Sequence, residues 1–270
     1  MADSMIRTAF KGICVGGTML VPGVSGGSMA MLLGCYDRLI SSVSSFTKNK
    51  KANVVYLSVF GMGGILGMML FAGPVSALLE AYPMPMMYLF IGAVAGGIPM
   101  IYQKSGVKQM DWRLILYPFA GAAAVILLGA LPAGILGGGQ SGGGVLLFAA
   151  GLLAAVALVL PGISVSYMFL LLGMYERIME AIARVQILYL LPLGGGLLLG
   201  TVLTAKLLET AMSRHPMPVY LVILGFILGS LGQVFPGFPD QPQILWCALG
   251  AASGFAAIRL LSWHEQRSEA

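Results

Sequence analysis

The sequence predicts an all-α polytopic membrane protein built as an inverted-topology repeat. In each half, a broken or re-entrant helical hairpin would precede three transmembrane helices. Of the 270 residues, 58% are hydrophobic and only 9% are charged, whereas soluble domains carry about 25% charged residues. The charges also cluster between long apolar runs, which is typical of membrane-spanning helices. The third observation is a stretch that occurs twice.

The duplicated stretch begins with a helix-breaking Pro-Gly. Residues 22–38 read PGVSGGSMAMLLGCYDR and residues 161–177 read PGISVSYMFLLLGMYER, and the two align without a gap. Inverted repeats with broken helices are common in transporters. We therefore interpret the chain as an internal duplication. Two further features recur downstream of the motif in each half: Pro-Met-Pro at 83–85 and 216–218, and glycine pairs at GxxxG spacing at 92–96 and 225–229.

The apolar runs divide the chain into elements. The first repeat would cover residues 1–136, a Gly-rich hinge 137–144, and the second repeat 145–270. In the first broken segment we predict an apolar half at 8–21, a break at 22–27 and a resumed helix at 28–46. The second would have its halves at 143–160 and 165–183. The predicted spans are 54–80, 86–103, 112–132, 187–213, 217–234 and 243–262.

Lys and Arg positions predict the orientation, because cytoplasmic loops are enriched in both. Placing the N- and C-termini in the cytoplasm puts eleven of the 15 Lys and Arg residues on that side. The exceptions are Arg38, Arg177, Arg184 and Lys206. The same count fits six spans with two re-entrant hairpins or ten full spans. The short 8–21 half favours re-entrance, because a span needs about 20 residues.

The two breaks predict an anion site in the membrane. Backbone groups cannot stay unsatisfied in lipid, so each break must be buried in protein or line a polar cavity. Ser25 and Ser164 are placed as N-caps of the resumed helices, whose positive ends favour anions. Ser28 and Ser166 add hydroxyl donors. Kinks of this kind also occur in purely structural helices, but two symmetric copies favour a substrate site.

Ionisable and aromatic residues near the motifs allow two interpretations each. Arg38 and Arg177 either pair with the preceding acid at the interface or receive an anionic head group. Tyr36 and Tyr175 either anchor the interface or donate hydrogen bonds at that site. Ionisable residues within a span are functional by default, so coupling to protons is one role for Glu80 or Glu209. An intrahelical pair of Glu209 with Lys206 is the alternative.

Phosphate-loop, zinc-protease and paired-cysteine motifs are absent from the sequence. Cys14, Cys35 and Cys247 have no CxxC spacing, and His215 and His264 have no second ligand at useful spacing. The chain has no GxxxxGKS/T or HExxH motif. We predict a transporter rather than an enzyme, with no cofactor, metal or nucleic-acid partner, and leave a homo-oligomer open.

The paired motifs resemble those of the bacterial polyprenyl-phosphate transporter family, over essentially the whole chain. PGVSGGS followed by LLGCYDR resembles its first motif, and PGIS followed by LLGMYER its second. The resemblance implies recycling of undecaprenyl phosphate, the lipid carrier of cell-wall and surface polymers, from the outer to the inner leaflet of the plasma membrane. Val165 and Ser166 depart from the Gly-Gly of the first motif. The implied head-group candidates are Ser25, Gly26, Gly27, Ser28, Arg38, Ser164, Ser166 and Arg177.

The main alternative is an undecaprenyl-pyrophosphate phosphatase, which also has inverted repeats and a Pro-Gly-x-Ser-Arg-Ser loop. Gly26 or Val165 replaces the Arg of that loop, and Glu176 and Glu180 follow the motif instead of an acidic pair preceding it. Hydrolysis would lack its charge clamp and its base, so the transporter is favoured. A small-anion channel or carrier is the third class. For the transporter, we expect the phosphate between the repeats, the prenyl tail in lipid, and a rocking motion between leaflets.

Overall fold

Helices are the main secondary structure, and no strand occurs, in the part of the chain that the computed structural model describes, residues 5–21, 24–107, 111–135 and 143–269. This confirms the predicted all-α class. A single 3₁₀ turn in this part, Gln241–Gln243, precedes the last helix. The α-helices are α1 (Met5–Thr18), α2 (Gly26–Leu32), α3 (Tyr36–Ser44), α4 (Lys50–Ala81), α5 (Pro83–Lys104), α6 (Arg113–Ala130), α7 (Gly144–Val159), α8 (Val165–Leu171), α9 (Tyr175–Ala183), α10 (Ile187–Arg214), α11 (Pro216–Val234) and α12 (Ile244–Glu269).

Five described helices are long and apolar enough to cross a bilayer: α4, α5, α6, α10 and α12. The chain is therefore a multi-pass membrane protein. The remaining predicted span, 217–234, corresponds to α11, which has a shorter apolar run at Pro216–Gly232. Helices α1 and α7 have 14 and 16 residues. They rise only about 21 and 24 Å, less than the ~30 Å hydrocarbon core. Re-entrance of the broken segments stays a prediction.

The order of helices repeats along the chain. Helices α1, α2 and α3 have 14, 7 and 9 residues, and α7, α8 and α9 have 16, 7 and 9. Three longer helices follow each triplet. The duplicated sequence thus forms the same local structure twice. The inverted orientation of the halves and the domain boundaries stay predictions, and most of the predicted hinge, residues 137–142, lies outside the described residues.

The predicted continuous helices at 28–46 and 165–183 are wrong, because a glycine ends each one after two turns. Gly34 and Gly173 have φ values of +70° and +65°, which residues with a side chain rarely adopt. In both copies the N–H after the glycine donates to the carbonyl five residues earlier, at 3.0 Å. This is the Schellman arrangement of a helix C-terminus. Each motif therefore consists of two short helices, and Arg38 is not at the far end of one straight helix.

Glycines let four pairs of helices pack with their backbones in close contact. The pairs are α1 with α4, α7 with α10, α5 with α12, and α11 with α6. A Cβ added to Gly16, Gly92, Gly196 or Gly225 would lie 1.9 to 2.1 Å from a carbonyl oxygen of the partner helix. Small residues of this kind are the usual contact between membrane helices. The glycine pairs at 92–96 and 225–229 therefore serve helix packing.

The last helix of each predicted half packs against the other half. Helix α12 lies along α5, and α6 lies along α11, while α5 and α11 contact each other. The first motif is enclosed by this arrangement, since Met31, Leu32 and Ile227 are fully buried in one cluster. Long apolar side chains of the outer helices, such as Met62 and Met69, are more than two-thirds exposed, as lipid-facing residues would be.

Candidate functional site

The N-terminus of α2 is capped by Ser25, as predicted. The Ser25 backbone is extended, with φ −90° and ψ 144°, and its Oγ accepts the backbone N–H of Ser28 at 3.1 Å. The Ser25 and Ser28 hydroxyls also lie 2.8 Å apart, within hydrogen-bond distance. Ser28 is buried, with 4% of its surface exposed. Two hydroxyls and a helix start are thus held together inside the protein.

The two motifs meet at this cap. The backbone N–H of Gly162 donates to Ser25 Oγ at 3.0 Å, across 137 residues of sequence. Gly162 has a φ of +83°, and a Cβ there would lie 2.5 Å from the carbonyl oxygen of Phe226. A Cβ on Gly27 would lie 3.3 Å from the Cα of Pro161. The first motif's Pro-Gly, residues 22–23, lies outside the described residues.

Tyr36, in the first motif, forms a hydrogen bond next to the Pro-Gly break of the second motif. Its phenol is buried and donates a 2.6 Å hydrogen bond to the carbonyl oxygen of Val159, in the last turn of α7. The last carbonyls of a helix have no partner within the helix. Tyr36 therefore stabilises the end of α7, two residues before Pro161.

A cavity of about 10 Å³ lies beside Ser28, between α2, α5 and α11. Its lining is apolar except for the hydroxyls of Ser28 and Ser230. A cavity of this size has room for roughly one water molecule. Ser230 was missed at the sequence level, because a single serine in an apolar span gives no signal. Only the fold places it opposite the motif.

The second motif is more open than the first. Ser164 occupies the N-cap position of α8, but within the described structure its side chain makes no cap hydrogen bond. Tyr175 is half-buried, whereas its counterpart Tyr36 is buried, and Ser166 is exposed, whereas its counterpart Gly27 is half-buried. The two aligned motifs thus have different surroundings.

Each motif arginine stacks on a tyrosine near the start of the following long helix. The guanidinium carbon of Arg38 lies 5.3 Å from the ring centroid of Tyr56, and that of Arg177 lies 4.9 Å from the ring of Tyr189. A cation over an aromatic face is attracted by the ring quadrupole. Arg38 is exposed. Both arginines therefore occupy equivalent positions in the two copies.

The motif acids pair differently from the sequence-level interpretation. Asp37 Oδ2 lies 2.5 Å from Lys104 Nζ, instead of pairing with Arg38. Arg177 pairs with Glu180 at 3.0 Å, instead of with the adjacent Glu176. Neighbouring residues on a helix do not face each other, whereas residues three or four apart do.

The two candidate coupling carboxylates have unequal surroundings. Glu80 is exposed near the end of α4. Glu209, on α10, is half-buried and accepts hydrogen bonds from Ser44 and from Ser45, the latter at 3.4 Å. Its carboxylate is thus directed at the end of α3 rather than at Lys206. A role of either residue in proton coupling stays a prediction.

Comparison with known proteins identifies the family. The family model VCA0040-like, described as undecaprenyl phosphate translocase-like, matches residues 15–246. The chain belongs to this family. It is 33% identical over 249 residues to a polyprenyl-phosphate transporter of Staphylococcus aureus, covering 87% of this chain and 88% of that protein. It is 27% identical over 251 residues to a polyprenyl-phosphate transporter of Vibrio cholerae, covering 86% and 78%. No solved structure matches the chain.

The candidate residues all lie in the part that this translocase-like family shares. Both motifs, Glu80 and Glu209 fall within residues 15–246. The structure brings together Ser25, Ser28 and Gly162. Arg38 and Arg177 lie apart from this contact, each on a tyrosine that follows its motif.

Proposed function

We propose that this chain moves polyprenyl phosphate, of the undecaprenyl phosphate type, from the outer to the inner leaflet of the bacterial plasma membrane. Two relatives named polyprenyl-phosphate transporters support the substrate class. The observation that carries the site is the hydrogen bond from Gly162 N–H to Ser25 Oγ, which joins the two duplicated breaks. Both termini would be cytoplasmic, as the Lys and Arg positions predict.

The groups at this junction suit a phosphate head group. A phosphate oxygen accepts hydrogen bonds from backbone N–H groups and from hydroxyls. The N–H of Gly162 and the hydroxyls of Ser25 and Ser28 supply such donors inside the protein. The prenyl tail would remain in lipid, against the exposed apolar faces of the long helices. We assign Ser25 and Ser28 to the central head-group site.

Head-group binding requires the two motifs to separate. In this structure the Gly162 N–H donates to Ser25 Oγ, and the Ser25 and Ser28 hydroxyls bond to each other. The adjacent cavity of about 10 Å³ is far smaller than a phosphate. A phosphate would replace the Ser25–Gly162 contact with its own oxygens. In this exchange each donor keeps a partner, so no N–H or hydroxyl is left unsatisfied. The contact is therefore the closed form of the site.

The more exposed groups would receive the head group before and after passage. In the second motif Ser166 is exposed, and the hydroxyl of Ser164 makes no cap hydrogen bond. Arg38 and Arg177 hold their guanidinium groups over tyrosine rings. A guanidinium presents its N–H donors in a planar fork, to which a phosphate can bind in a bidentate manner.

Transfer of a labelled polyprenyl phosphate between leaflets of proteoliposomes tests the proposal. The wild type should transfer the lipid, and Ser25→Ala/Ser28→Ala should reduce the rate strongly. The control is Ser253→Ala, on α12, whose exposed hydroxyl bonds only within its own helix. Equal rates in the serine variant and the wild type would reject the site. Phosphate release from the lipid pyrophosphate by the wild type would favour the phosphatase.

A further inference from the structure

Helices α3 and α9 are copies of each other, but only α3 is docked on the opposite half. Helix α3 packs along α10, whereas α9 packs mainly on its own neighbours α8 and α10. Aligned residues show the difference. Ile40 on α3 is 6% exposed, and its counterpart Met179 on α9 is 45% exposed. One apolar face is thus covered and its copy is not.

Glu209 provides the polar contact that joins α3 to α10. The hydroxyls of Ser44 and Ser45, at the end of α3, donate to its carboxylate. Hydrogen bonds to an ionised acceptor are stronger than neutral ones. A carboxylate within a membrane helix also needs such partners, because burying it alone is costly. Separating α3 from α10 therefore requires these bonds to be replaced.

We propose that Glu209 is a positioning residue that clamps α3 onto α10 in one of two alternating states. In the other state α3 is released and α9 docks on α4. The inference rests on the proposed transport function. Ligand transfer through a repeat protein needs two states of comparable free energy. The clamp keeps Tyr36 against Val159, so it controls whether the junction of the two motifs is closed.

Helix α4 is the partner of α9 in the released state because of the repeat. Helix α4 follows α3 in the first half as α10 follows α9 in the second. Since α3 docks on α10, the copy of that contact is α9 on α4. The apolar residues Met179 and Ile182 are both about half exposed and form the face to be covered. Coverage of this face by lipid alone is the competing outcome.

Reciprocal cysteine labelling tests the clamp without any lipid substrate. The background replaces Cys14, Cys35 and Cys247 with Ala, and one reporter, Ile40→Cys or Met179→Cys, is added. The labelling rate with a maleimide is measured in detergent, with and without Ser44→Ala/Ser45→Ala. Ser213→Ala on α10 is the control, since that hydroxyl bonds only within its helix.

Removing the two serine hydroxyls should raise labelling at position 40 about tenfold and lower it at position 179. A tenfold shift corresponds to about 1.4 kcal/mol, within reach of bonds to a charged acceptor. A faster labelling rate at position 40 without a slower rate at position 179 would reject the exchange of α3 docking for α9 docking. An unchanged labelling rate at both positions would reject it as well. If the serine variant does not fold, Glu209→Gln gives the same test. Intact lipid transfer with no labelling change would overturn the clamp and leave the proposed function standing.

Discussion

The hydroxyl of Ser25 accepts the backbone N–H of Gly162 at 3.0 Å and the backbone N–H of Ser28 at 3.1 Å. One oxygen thus caps the first motif's helix and satisfies the second motif's break. Because both donors lie inside a membrane protein, bulk water could not replace Ser25 Oγ as their acceptor if that oxygen were removed. The stability of the junction therefore depends on a single side chain.

We expect Ser25→Ala to lower the free energy of unfolding by about 2 kcal/mol, since it removes an N-cap and leaves a second N–H unsatisfied. The matched control is Ser164→Ala, at the equivalent cap whose side chain makes no such bond. Thermal unfolding in detergent should show a clear loss for the first and little change for the second. Equal losses would contradict the assignment.

Gly162→Ala should prevent folding or lower stability severely. The backbone conformation is unfavourable for alanine, and its Cβ would lie 2.5 Å from the Phe226 carbonyl oxygen. Gly134→Ala separates the two causes, because Gly134 has a φ of +78° with no atom within 4 Å of the added Cβ. The control should cost only about 1 kcal/mol. Expression yield and thermal unfolding measure both, and similar outcomes would show that the clash is unimportant.

Tyr36→Phe should destabilise the protein by about 1–3 kcal/mol, because the Val159 carbonyl oxygen loses its 2.6 Å partner in a buried place. The ring itself is kept, so packing changes little. Tyr175→Phe, in the half-buried copy, serves as the comparison. Unfolding midpoints in detergent should fall only for Tyr36→Phe. A fall of the same size for both would imply equivalent roles.

Arg38→Ala and Arg177→Ala should each reduce leaflet transfer of polyprenyl phosphate at least about tenfold, as expected for losing a charge-assisted contact with the head group. Arg113→Ala is the control, because Arg113 also stacks on an aromatic ring, Trp112, but lies outside the motifs. Transfer in proteoliposomes measures all three. Unchanged transfer in the motif variants would remove both arginines from the site.

Local patterns predicted the helices well. The apolar runs placed most of the long helices within a few residues, and the alignment placed the break at Pro161, between α7 and α8. The helix end at Gly34, and its copy at Gly173, was not predicted. A glycine after two leucines, in both copies, is a signal for a helix C-terminus. The Arg177 pair was misassigned because the adjacent Glu176 was paired with it instead of Glu180, one helical turn away.

Contacts between distant segments could not be predicted from the sequence. Nothing local indicates that Lys104 reaches Asp37, or that Ser230 shares a cavity with Ser28. The unequal burial of the two motifs also gives no local signal in their aligned sequences. It arises because a single conformation places equivalent helices in different surroundings.

The exchange of last helices has a consequence for the origin of the chain. Helix α5 is covered by α12, and α11 by α6, so neither half can cover its own glycine-lined face. A half-length ancestor would have faced the same need. It would have been an obligate pair of subunits, each lending its final helix to the other, before a gene fusion made the pair one molecule.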